Sequence, residues 1–121
     1  MAIDIEFNES GDVLVARLTD SFSPRADEIA DKTIAQKCID DEKTKVLIDY
    51  RAVEGQPLPL DSFHSGDELS QRGFTRNIKM AFLDRIEFIS ANEFYELVAT
   101  NRGFQLRHFY NEAEAMEWLG S

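Results

Sequence analysis

The chain has 121 residues, 23 of them acidic against 13 basic, for a formal charge of −10 at pH 7. That length suits one domain with a core large enough to need no metal or disulfide staple, and 43% apolar content with nine phenylalanines points to a packed globule. An acidic field of this size argues against nucleic acid and anionic membrane surfaces as partners, and the single cysteine, Cys38, excludes an internal disulfide.

Met1-Ala2-Ile3-Asp4 lacks the basic and apolar regions of a secretion signal, and no apolar run reaches membrane-spanning length. The economical expectation is a cytoplasmic protein without stable membrane insertion. Ile3, Ile5 and Phe7 alternate with Asp4 and Glu6, the period of a strand with one wet face. Ser10-Gly11 marks a turn, and Val13 to Leu18 reads as the second strand of an antiparallel hairpin. Ser23-Pro24 is a helix start, because Ser caps free amides and Pro tolerates the first helical position. Asp27 and Glu28 then oppose the helix dipole, while Ala26, Ala30, Ile34 and Cys38 recur at spacing four as the core stripe. Cys38 in that stripe reads as a buried thiol.

Lys45 to Tyr50 (KVLIDY) is too short and too β-branched for a helix, and its unbroken apolar run predicts a strand covered on both faces. Gly55 to Leu60 (GQPLPL) is a loop, since its prolines remove amide donors. A weakly patterned second helix is expected from near Asp61 to before Gly73, interrupted by Gly66. Ile78 to Leu83 reads as the next buried strand. Ser90-Ala91-Asn92-Glu93 has the form of a capping box, with Ile89 and Phe94 as its hydrophobic staple. Phe94, Leu97 and Val98 are then the expected inner face of the third helix, which Gly103 ends. Phe104 to Phe109 is a short strand, and Asn111 opens a last helix with Ala115, Trp118 and Leu119 inward. The order ββαβαβαβα predicts one α/β domain over 1–121. Its sheet is mixed and mostly parallel, with about five strands, an N-terminal antiparallel hairpin and four helices.

Three stretches carry a family likeness: Val46-Leu47-Ile48-Asp49-Tyr50-Arg51, Ile78 to Leu83, and Arg102 to Phe109 followed by Asn111 to Leu119. Together they resemble the SpoIIAA-like branch of the STAS superfamily, the fold of bacterial anti-sigma factor antagonists. The resemblance implies a bacterial, non-enzymatic module with fold-level similarity to lipid-carrying Sec14-type domains. In the antagonists a serine within Asp-Ser-Ser/Thr-Gly opens the helix after the central strand and is phosphorylated by a partner kinase. Here Asp61-Ser62-Phe63-His64-Ser65-Gly66 matches the first two positions, which makes Ser62 the candidate phosphosite. Phe63 and His64 depart from the rest.

In open parallel sheets, ligands bind beyond the carboxyl ends of the strands. The loop from Arg51 to Phe63 leaves that edge carrying Leu58, Leu60 and Phe63, more apolar surface than a connector needs. The expected site is therefore a small, mainly apolar molecule beneath the 51–63 loop, held by Tyr50, Arg51, Leu58, Leu60 and Phe63. The alternative is a protein-interaction switch with a regulatory protein as partner, phosphorylated on Ser62. No catalytic set, cofactor or metal is expected. Asp61, His64, Asp67 and Glu68 fall at helical spacings, but a solvated helix face accounts for them more simply. Arg72, Arg76, Lys79 and Arg85 concentrate positive charge, as a solvated rim or a contact for an acidic partner or phosphate. His108 is expected within a strand, and Trp118 as a core anchor.

Overall fold

The computed structural model describes residues 3–55 and 58–121. Its elements are β1 (Ile3–Ser10), β2 (Val13–Ser21), α1 (Pro24–Asp40), β3 (Lys45–Glu54), α2 (Pro59–Asp67), β4 (Lys79–Leu83), α3 (Ile89–Asn101), β5 (Gln105–Phe109) and α4 (Glu112–Leu119). The strands form one sheet in the order β1-β2-β3-β4-β5, antiparallel between β1 and β2 and parallel throughout the rest. KVLIDY is indeed interior: β3 lies at the centre of the sheet, with Val46, Leu47 and Ile48 wholly shielded from water.

Alternation along the strands feeds two cores. Leu14, Ala16, Val46, Ile48, Met80 and Leu106 pack with Ala30, Ile34 and Cys38 of α1 and with Tyr95 and Ala99 of α3. Val13, Val15, Leu47, Ala81 and Leu83 pack instead with Ala115 and Leu119 of α4. Successive parallel strands step across the sheet in one direction, so crossovers of a single hand place their connections on one face. α4 follows the last strand and covers the other face alone.

Local signals in α1 and α4 act as expected. Ser23 Oγ accepts from Ala26 N at 3.1 Å with Pro24 in the first turn, and Asn111 Oδ1 accepts from Glu114 N at 3.2 Å. Gly103 ends α3 at φ +87, a conformation costly for a residue with a Cβ. Trp118 is half-buried, its ring 5.6 Å from that of Phe109 and beneath Lys79 Nζ at 4.5 Å. Burial pushes the Cys38 thiol up to about 11, which keeps it protonated and unreactive.

Three expectations need correction. First, the segment from Arg51 to Phe63 is not one long loop. β3 continues to Glu54, because β2 also runs on to Ser21 and pairs Thr19, Asp20 and Ser21 with Ala52, Val53 and Glu54 past an irregularity after Arg17. α2 begins at Pro59 rather than Asp61, with Asp61 Oδ2 accepting from Leu58 N at 2.8 Å, and ends at Asp67. Of the expected loop, Gln56 and Pro57 lie outside the described residues.

Second, Ser90-Ala91-Asn92-Glu93 is no capping box, since a 3₁₀ turn over Ile86–Phe88 leads straight into a helix already begun at Ile89. Third, the inner face of α3 is Asn92, Tyr95, Val98 and Ala99, whereas Phe94 and Leu97 are 40% and 57% exposed. Tethers set that phase: Asn92 Nδ2 donates to Asp84 Oδ2 at 3.0 Å, and Tyr95 meets the Phe82 ring at 5.4 Å. Gly66, which weakened the pattern of α2, is a contact point. A Cβ there would lie 2.9 Å from Tyr95 O and 3.0 Å from Val98 Cβ, so its absence lets α2 close onto α3.

Candidate functional site

At the carboxyl ends of β3, β4 and β5, on the three-helix side, the strands and helices leave a cleft of about 50 Å³. Its floor is aromatic. Tyr50 stacks on Phe82 at 5.9 Å, and Phe82, Tyr95 and His108 meet pairwise at 5.2 to 5.4 Å. Phe22 and Phe88 complete the walls, with Ser62 and Ser65 descending from α2. This is the edge where the strands end and α2 begins, the one at which open parallel sheets commonly take ligands.

Behind the cleft lies a buried ionic cluster. Asp27 Oδ1 accepts from Tyr50 OH at 2.5 Å, and Asp27 Oδ2 accepts from Ser65 Oγ and from Arg72 Nη1, both at 3.0 Å. Arg72 Nη1 also donates to Asp31 Oδ2 at 2.8 Å. The Arg72 and Asp31 side chains are only 5% and 1% exposed. Asp27 and Asp31 stand one turn apart on α1, so one guanidinium bridges two carboxylates that would otherwise repel in a dry interior. Burial, and then the neighbouring Asp27, push the Asp31 carboxyl up to about 8. Burial would lower the Arg72 pKa, but the attraction of Asp31 and Asp27 outweighs it and holds the guanidinium charged. Burial followed by the two carboxylates also raises the Tyr50 and Tyr95 hydroxyls well above their ordinary range, which keeps them protonated donors.

Two other polar groups are fixed at the rim. Asp84 accepts from Arg85 N at 2.8 Å and from Asn92, while Arg85 Nη2 donates to Val53 O at 2.9 Å and its guanidinium lies 4.5 Å from the Phe88 ring centre. His108 is buried in the sheet as expected, its backbone N donating to Glu96 Oε2 at 2.9 Å. Burial works against the Glu96 carboxylate, but the His108 contacts outweigh it and lower its pKa.

The sequence-predicted residues divide. Tyr50 and Ser62 line the cleft, Ser62 being buried. Arg51 points to the opposite face of the sheet, where it and Arg17 pair with Asp49 and Glu112 at 2.8 to 3.2 Å. Leu58 and Leu60 are exposed at the start of α2, outside the cleft lining, and Phe63 is half-buried against the His64 ring. The basic residues do not form a patch. Arg72 is buried with Asp27 and Asp31, Arg76 donates to Arg102 O at 2.8 Å, Lys79 to Trp118 O at 2.6 Å, and Arg85 stands at the cleft. Asp61, His64, Asp67 and Glu68 are likewise dispersed: Asp61 holds the first turn, His64 faces Glu68 at 3.5 Å and Asp67 pairs with Arg102 at 2.8 Å. No group of three or more potential metal ligands is arranged for a metal ion among the described residues.

Sequence reasoning missed Asp27, Ser65, Arg72, Asn92 and Tyr95 as site residues. One signal was present: two acids at i and i+4, each next to a core-stripe residue, call for a buried cation.

No family model and no curated protein matches the chain. Solved structures do. An anti-sigma factor antagonist from Mycobacterium paratuberculosis superposes with a TM-score of 0.65 at 13% identity, covering 99% of this chain and 96% of that one. An uncharacterized protein with a SpoIIAA-like fold from Shewanella loihica gives 0.57 at 18% identity, covering 98% and 94%. At these identities the likeness speaks for architecture alone, and with the five-stranded mixed sheet and its helices it establishes that this chain has the SpoIIAA-like STAS fold.

Proposed function

We propose that the protein is a non-enzymatic regulatory module that binds a small molecule in the cleft at the carboxyl edge of β3, β4 and β5. One observation carries this reading: a cavity walled by six aromatic rings, with hydroxyls and two carboxylates at fixed positions, opens at the edge where sheets of this class take ligands. Tyr50 and Ser62 are its contact residues from the sequence prediction. Arg51, Leu58, Leu60 and Phe63 are not among its lining residues and are not part of this reading. No helix among the described residues is long and apolar enough to cross a membrane, in keeping with a cytoplasmic role. Native mass spectrometry of the protein purified from its host tests the reading. A discrete added mass that disappears in the Phe82→Ala variant is expected; a protein that is empty in every preparation overturns it.

A second reading, docking of a regulatory protein, has its own observation. Leu58 and Leu60 at the start of α2 and Ile86, Ile89, Phe94 and Leu97 on or beside α3 are large apolar residues left at least 40% exposed. An anti-sigma factor antagonist is among the structural neighbours. The phosphorylated form of this reading meets a buried Ser62, so a kinase would act only after α2 lifts. Phosphate incorporation into the wild-type chain but not into Ser62→Ala, using host extract, is the result that favours it.

A further inference from the structure

We propose that the cleft recognises an uncharged carbonyl-bearing head group, its oxygen accepting hydrogen bonds from Tyr95 OH and Arg85 Nε. This deepens the small-molecule reading above and rests on it. The argument starts from an asymmetry among the polar groups of the wall. Every carboxylate there is already engaged: Asp27 takes donors from Tyr50, Ser65 and Arg72, and Asp84 from Arg85 N and Asn92. Two donors are not. Tyr95 OH and Arg85 Nε are both buried, both belong to residues lining the cleft, and neither has a hydrogen-bond partner among the described residues. Tyr95 is only 9% exposed, and its protonated hydroxyl is available to donate. A buried donor without a partner is costly, and an incoming acceptor removes that cost, so selectivity follows from the free donors rather than from the filled acceptors.

Charge narrows the class. Arg85 alone would favour an anion, but Asp27 and Asp84 line the same cavity, so a carboxylate or phosphate would meet carboxylate oxygens beside the one guanidinium at the rim. A cation would meet the Arg85 guanidinium at the rim, beside carboxylate oxygens that each already hold a donor. A neutral acceptor suits both sides. Size narrows it further: about 50 Å³, where one water needs about 10–15 Å³, admits a head group of about four or five atoms between the rings of Phe22, Tyr50, Phe82 and Phe88.

The test is an NMR titration of the full chain with 2-butanone, propionate and sec-butylammonium, equal-sized probes that are neutral, anionic and cationic. It is followed on the Tyr95, Tyr50 and His108 ring signals. Fragments of this size bind weakly, so affinities of about millimolar are expected. The inference predicts a Kd for 2-butanone at least about tenfold below those of both ions, the equivalent of one hydrogen bond. Tyr95→Phe keeps the ring contacts and removes only the free hydroxyl, so it folds, and it should weaken 2-butanone about fivefold or more. Arg85→Lys, which keeps the charge without Nε, should do likewise. Tighter binding of either ion, or unchanged 2-butanone binding in both variants, overturns the carbonyl assignment while leaving a ligand cleft intact. Silence from all three probes at about 50 mM overturns it too. The broader reading then stands or falls on native mass spectrometry.

Discussion

The two faces of the sheet each carry an ionic cluster, and the clusters behave as opposites. On the three-helix face, Arg72 bridges Asp27 and Asp31 with side chains almost wholly excluded from water. On the α4 face, Arg17 and Arg51 meet Asp49 and Glu112 at similar distances, but Arg17, Arg51 and Glu112 are each about two-fifths exposed. Similar distances therefore carry different weights. Water screens the second cluster and costs little to displace, whereas the first holds two acidic side chains against one guanidinium in a dry interior. Burial pushes Asp31 up, while on the other face hydrogen bonds from Arg51 and Arg17 outweigh burial and lower Asp49, and that from Arg17 lowers Glu112.

The sharpest break of that contrast is Arg72→Met. It leaves the buried Asp27 and Asp31 side chains without their cation, and urea denaturation should show a loss of about 3–5 kcal/mol. A loss below about 1 kcal/mol would put the buried cluster on the same footing as a surface pair. Gly66→Ala comes next. Its Cβ meets the Tyr95 carbonyl and Val98, so thermal unfolding should report a cost of about 1–3 kcal/mol, together with shifted Tyr95 resonances as α2 lifts from the cleft.

Stability against pH sharpens the comparison through its sign. The Asp31 pKa, about 8 in the folded chain, lies above its unfolded value, so between the two the folded state holds the extra proton. Its contribution is complete below the unfolded value and is lost as pH rises toward about 8. Asp49 and Glu112, lowered on folding, stabilise above the ordinary carboxylate range and lose that contribution as pH falls. Chemical denaturation across pH should show Asp31→Asn gaining on wild type from about pH 5 upward and levelling off above pH 8. A constant difference would mean that Asp31 is not the titrating group. Glu112→Gln has the smallest expected effect, within about 0.5 kcal/mol in the same assay and vanishing in molar salt.

How far the molecule was legible beforehand varies with the range of the information each residue carries. KVLIDY announces a covered strand because the requirement is written in six adjacent side chains, and Ser23-Pro24 and Asn111 announce helix starts because a cap is a contact over three residues. The phase of α3 was misread by one residue. Phe94 and Leu97 are the more apolar candidates for the inner face, but Asn92 and Tyr95 are held by Asp84, Phe82 and His108, partners that come from β5 and from the end of β4 and the residue after it. Likewise β3 runs on to Glu54 only because β2 is there to pair with it, and Arg51 turns away from the expected pocket because strand alternation sends it to Glu112.

The site shows the same division. An edge at the carboxyl ends of parallel strands, with Tyr50 and Ser62 beside it, follows from the order of strands and helices. The acids of α1 meet Arg72, more than 40 positions away, only in three dimensions, and only there do Tyr95 and Arg85 come to line one cleft. Periodicity, capping and β-branching act between neighbours and are determined by the sequence alone. Which buried carboxylate finds its cation, and which buried donor is left without a partner, is decided by packing, because desolvation and pairing depend on groups that the chain brings together only when folded.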